Sequence, residues 1–152
     1  MSIRLSWFAA EAELSTLEGA MRHTSAAHLD EVRMALAWQL RQRDPARAQG
    51  LLQQLQAQPQ SDRDRARLRL LHASLSLVRG DLACAGTQIE QALLEFGALG
   101  DGVGCADAYA LLADLGAERG DPQQQIDALR SMQRAAAGDS ERSVAAVAAA
   151  AR

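Results

Sequence analysis

The sequence predicts an all-α chain of antiparallel helix pairs, and three observations carry that expectation. The first is composition. Of 152 residues, Ala supplies 32, whereas Val and Ile together supply 8. Ala is the best helix former, and β-branched side chains favour strands. The second is spacing. Leu68, Leu71, Leu75 and Val78, widened by Leu70 and Leu77, recur every three or four residues, and so do Leu82, Ala85, Ile89, Ala92, Leu93 and Phe96. Ala108, Leu111, Leu112 and Leu115 draw a third such stripe. This is the period of a helix with one buried face. The third is punctuation. Ser6, Ser25, Asp44, Asp62, Asp81, Asp101, Asp121 and Asp139 succeed one another at intervals of 18 to 20 residues. Small polar residues of this kind start helices by accepting a bond from an orphan first-turn N–H.

Taken in order, these marks divide a single domain. Residues 6–24 are an N-terminal helix. Residues 25–60 hold a first pair, its second helix opened by Asp44-Pro45, where proline at the first helical position loses nothing. The Gln-rich stretch Gln53–Gln60, with Pro59, reads as a helix end and turn rather than a domain boundary. Residues 61–100 and 101–138 form two further pairs. Gly80, Gly100, Gly120 and Gly138 each precede an Asp, so that helix stop and helix start are written together. Residues 139–152 then begin another helix, giving about seven helices plus a truncated eighth. Short connections between helices of about 15 residues make neighbours antiparallel. A terminal helix with no partner predicts that the chain is the N-terminal part of a longer protein, cut in a fourth repeat; the alternative is a natural cap.

Composition excludes several functions. A net charge of −3, with 16 Arg, no Lys and 19 acidic residues, provides no basic field for nucleic acid. Trp7, Phe8, Trp38, Phe96 and Tyr109 are too few for a base-stacking platform. No apolar run spans a membrane, the N-terminus lacks a signal-peptide core, and Cys84 and Cys105 alone make no disulfide framework. A cytoplasmic address is expected.

The pairs repeat at 37 and 40 residues, from Asp44 to Asp81 and on to Asp121. Residues 106–136 carry Tyr109, Leu112 and Ala113, then Gly120-Asp121 and Leu129; residues 66–97 carry Ala73, Gly80-Asp81, Ala85, Ile89 and Ala92; residues 29–57 carry Asp44-Pro45, Ala48 and Leu52. In these positions the chain resembles the tetratricopeptide (TPR) repeats, over about residues 25–138. It departs from them at Gln125, where Ala is usual, at Arg69, where an aromatic is usual, and at Gly97, where the closing proline is missing. The run from Leu36 to Ala48, with Trp38 and Asp44-Pro45, is similar to bacterial repeat arrays that precede GGDEF diguanylate cyclase domains. The resemblance implies a right-handed superhelical solenoid with ligands held on its concave, helix A side. It places Asp30, Arg33, Ala37, Leu40, Arg41, Arg67, Leu70, Ser74, Asp107, Ala110 and Asp114 along that groove. The Lys and Asn of the chaperone-binding carboxylate clamp are missing.

No catalytic, cofactor or metal site is expected. His23 and His28 lie five apart and cannot share a helix face as a zinc pair would. The cluster Gly97, Gly100, Gly102 and Gly104 lacks the strand and Lys of a phosphate loop and reads as an extended connection. Arg-Gly-Asp at 79–81 and 119–121 reads as turn punctuation. Arg63, Arg65, Arg67 and Arg69 read as a solvated or pair-forming face, with Arg67 the candidate if one is functional. The expected function is therefore a non-catalytic interaction or sensory module. It binds a protein segment, or a downstream domain of the same chain, and regulates an output domain such as a diguanylate cyclase. The alternative is a sensor holding a small anionic ligand on Arg33, Arg41 and Arg67. A weak homodimer through the C-terminal helix is also expected, led by Val144 and Val147.

Overall fold

The computed structural model describes residues 11–23 and 25–150, and among them every regular element is a helix. The expectations for Ser6, Trp7 and Phe8 lie outside the described residues. Seven helices span the described residues in order: α1 (Glu11–His23), α2 (Ala26–Leu40), α3 (Pro45–Gln56), α4 (Asp62–Val78), α5 (Leu82–Leu99), α6 (Gly102–Glu118) and α7 (Pro122–Ala150). No described helix is long and apolar enough to cross a membrane. The helices gather into two compact units, Met1–Gln60 and Ser61–Arg152, dividing where the Gln-rich stretch ends.

In the first unit α2 packs against both α1 and α3. Its residues from Met34 to Leu40 are all buried, as is Arg41 just after it, and Ala48, Leu51, Leu52 and Leu55 supply the inner face of α3. Asp44 caps α3 as expected, its carboxylate accepting from the Arg47 N–H at 3.1 Å. Ser25 precedes α2 at the cap position, but its hydroxyl makes no capping bond. Arg47 reaches from α3 to Glu18 of α1 at 2.6 Å.

In the second unit each helix packs on the next, and α4 also touches α6. The core is built from Leu68, Leu71, Leu75, Ile89, Phe96, Leu111 and Leu115, interleaved with Ala66, Ala73, Ala85, Ala92 and Ala108. Small residues let the helix axes approach closely. At Gly116 an added Cβ would fall 2.8 Å from the Gln125 backbone nitrogen, so α6 and α7 meet backbone to backbone there. Two expected core positions differ. Val78, at the last turn of α4, is 48% exposed, and Leu129 on α7 is 40% exposed. At α4 the cap is Ser61 rather than Asp62, its hydroxyl accepting from the Asp64 N–H at 3.2 Å.

Three of the four Gly-Asp pairs turn the chain by one mechanism. Gly80, Gly100 and Gly120 adopt φ of 78°, 64° and 67°, a left-handed conformation that only glycine enters without strain. The N–H of the following Asp then bonds back to Ser76, Phe96 and Gly116 respectively, closing a Schellman turn on orphan helix carbonyls. The same Asp starts the next helix: Asp81, Asp101 and Asp121 accept from the N–H groups of Cys84, Gly104 and Gln124 at 3.1, 2.9 and 3.0 Å. One dipeptide thus satisfies both helix ends.

The fourth pair does not turn. Gly138 and Asp139 lie inside α7, which runs unbroken to Ala150, so the separate eighth helix expected from Asp139 is not formed. The cause is the segment C-terminal to each glycine. After Gly80, Gly100 and Gly120 the next helix packs within five residues, through the buried Ala85, through Gly104 against Phe96, and through the Gln125 backbone against Gly116. After Gly138 come Asp-Ser-Glu-Arg-Ser, with no large apolar residue before Val144. Folding back would bury little, whereas an interior helical glycine costs only about 1 kcal/mol.

Candidate functional site

The turn between α5 and α6 is the focus of the second unit. The glycine cluster is not an extended loop. Gly97 lies in the last turn of α5, Gly102 and Gly104 open α6, and only Gly100 and Asp101 lie between. The tightness has a packing cause. A Cβ on Gly104 would fall 2.2 Å from Cδ1 of Phe96, so the ring occupies the space that any side chain there would take.

Asp101 holds this corner together. Its carboxylate is 8% exposed; Oδ1 caps α6, and Oδ2 faces Arg63 Nε at 3.2 Å and Arg67 Nη2 at 4.0 Å. One carboxylate thereby ties the start of α6 to the start of α4. The remaining arginines of the α4 run are paired too: Arg65 with Asp62, and Arg69 with Glu95 at 2.8 Å. All four arginines are therefore paired with carboxylates, Arg63 and Arg67 with Asp101 and the other two with separate partners.

Beside this corner opens a cleft of about 430 Å³. Phe96, Gly97 and Gly100 come from α5 and its turn, and Asp101, Gly102, Cys105 and Tyr109 from the α6 side. Ser131, Arg134, Ala135 and Gly138 come from α7. Arg134 is exposed, donates to the Ser131 hydroxyl at 3.2 Å, and pairs with no carboxylate among the described residues. The cleft is not apparent from the sequence. Its α7 wall is spaced 131, 134, 135 and 138, one face of a continuous helix; a break assumed at Gly138 conceals that face.

The expected groove residues fall in both units. Asp30, Arg33, Ala37, Leu40 and Arg41 belong to the first, the other six to the second. Arg33 pairs with Asp30 at 3.0 Å. Arg41 is buried, stacks 4.2 Å from the Trp38 ring centroid and donates to the Trp38 carbonyl at 2.6 Å. In the second unit Arg67, Leu70 and Ser74 lie on α4, and Asp107, Ala110 and Asp114 on α6, two helices in contact. Leu70, Ser74, Asp107 and Ala110 are buried, whereas Arg67 and Asp114 are half-buried. Of these six, Arg67 and Asp114 retain the greater reach toward solvent.

No group of three or more His, Cys, Asp or Glu gathers as metal ligands among the described residues. His28 approaches Glu31 at 3.8 Å on an exposed helix face. Cys84 and Cys105 are half-buried and not in a disulfide; the Ser76 hydroxyl lies 3.5 Å from the Cys84 sulfur.

No protein-family model, curated protein or solved structure matches this chain.

Proposed function

We propose that the chain is a TPR-like helical repeat module that binds a protein segment or a neighbouring domain and thereby regulates an output domain. The observation that carries this reading is the packing of 61–152, where each helix rests on the next and α4 also meets α6 across the pair. That pattern, renewed by the same Gly-Asp turn at three corners, is how stacked helix pairs build a continuous core and a long recognition surface. The resemblance to repeats preceding diguanylate cyclases makes such a cyclase the output domain of choice, with the module cytoplasmic and without covalent chemistry of its own. Self-pairing through the C-terminal helix is a further part of the reading.

Binding would run along the α4 and α6 faces, where Arg67 and Asp114 are half-buried and the other expected groove residues are buried. The anion-sensor alternative on Arg33, Arg41 and Arg67 draws no support from the geometry, because Asp30, Trp38 and Asp101 already engage those guanidinium groups. A photo-crosslinking amino acid at Arg67 or Asp114, in cells expressing the parent gene, tests the interaction reading. Adducts to one discrete protein or domain are expected there, and not from Leu94 or Ile126, which are exposed on α5 and α7. Equal adducts from all four positions, or none, would remove the groove from the account.

A further inference from the structure

We propose that the cleft between the α5–α6 turn and α7 is a binding site for a monocarboxylate with an apolar tail, independent of the groove along α4 and α6. The cleft volume, about 430 Å³, falls within the range of small-ligand sites. The cation among its described lining residues is Arg134, exposed and without a carboxylate partner among the described side chains. A planar guanidinium matches a carboxylate through two parallel N–H···O bonds. Ser131, already bonded to Arg134 at 3.2 Å, steadies that fork and adds a hydroxyl beside it.

Charge selects the valence of the ligand. Asp101 also lines the cleft, and its negative charge is answered from α4 by Arg63 and Arg67. A dianion such as a phosphate monoester would bring a second negative charge toward that carboxylate, whereas Arg134 offers a single positive one. A single negative charge is matched one to one. The walls set the rest of the molecule. Tyr109 and Ala135, with Gly97, Gly100 and Gly138, present ring and small apolar surface next to the charged end, with the buried Phe96 ring beneath them. An acid carrying an aromatic or branched apolar group fits both features. Such a group occurs in a free metabolite and at the C-terminus of a peptide, and the two sources share the chemistry proposed.

Cys105 gives the site a built-in reporter, since it lines the cleft while Cys84 is not among the lining residues. The experiment follows iodoacetamide alkylation of both cysteines in the whole chain by mass spectrometry. The probes are phenylacetate, phenylacetamide, and an acetyl-Gly-Gly-Phe peptide as free acid and as amide. Phenylacetate is expected to slow Cys105 alkylation saturably, by about tenfold at ten times its dissociation constant, in line with the mass-action factor. Cys84 and both amides should show no change, and Arg134→Gln should abolish the protection with helical content intact. Protection by the peptide acid as well assigns the site to peptide termini; protection by phenylacetate alone assigns it to free acids. Absence of protection by either acid, equal protection by the amides, or protection that survives Arg134→Gln overturns the proposal. None of these outcomes bears on crosslinking from Arg67 or Asp114.

Discussion

Phe96 has no solvent exposure, and its ring lies where a Gly104 side chain would be. Gly104→Ala must displace the ring from a filled core, and overpacking of this kind costs about 1–3 kcal/mol. Urea unfolding should show the midpoint falling accordingly. Gly116→Ala should cost at least as much, because the obstacle is the Gln125 backbone rather than a side chain that can rotate. A different residue-scale test concerns Asp101. Asp81 and Asp101 both cap a helix, and Asp101 also faces two arginines. Loss of a cap costs about 1 kcal/mol, so Asp81→Ala measures that cost and Asp101→Ala should exceed it. Because Arg63 is largely exposed, the excess should be modest. Equal losses in the two variants would show that the tie to α4 contributes nothing to stability.

At the scale of the element, the caps, stripes and turns were largely legible because they depend on neighbours in sequence. Asp44, Asp81, Asp101 and Asp121 could be read as caps, and Gly80, Gly100 and Gly120 as stops, since one dipeptide carries the whole hydrogen-bond pattern of each Gly-Asp corner. Gly138-Asp139 has the same letters and a different outcome. Whether a turn forms there depends on whether the next segment has a face to bury, which is a tertiary quantity. The cleft was hidden for the same reason, because Ser131, Arg134 and Gly138 align only on an unbroken α7. The exposure of Val78 was likewise beyond a stripe pattern, which marks a face without saying how far a neighbour covers it, and that of Leu129 was beyond the repeat resemblance that placed it in a helix. The continuity of α7 reverses the sign of one substitution. Gly138 has helical backbone and no atom near an added Cβ. Gly138→Ala should therefore stabilise the chain by about 0.5–1 kcal/mol. A helix stop at this glycine would instead make the substitution destabilising, and thermal unfolding monitored by helical circular dichroism distinguishes the two.

For the whole molecule, two compact units and a run of Gly-Asp corners in the second constitute the claim to be tested. The proposed pairing through the C-terminal helix adds a prediction at this scale. Sedimentation velocity should show a weak dimer that grows with concentration and is lost when Val144 and Val147, whose side chains lie outside the described residues, are changed to Ser. A monomer over the whole range would assign that end to a cap. The most direct test of the repeat architecture is nuclear magnetic resonance of the labelled chain, because it reads turns and helix contacts together. Helical carbon shifts should be interrupted at Gly80, Gly100 and Gly120 and continue through Gly138, and nuclear Overhauser contacts should join α4 to α6 as well as to α5. A break at Gly138, or α4 in contact with α5 but not α6, would contradict the account.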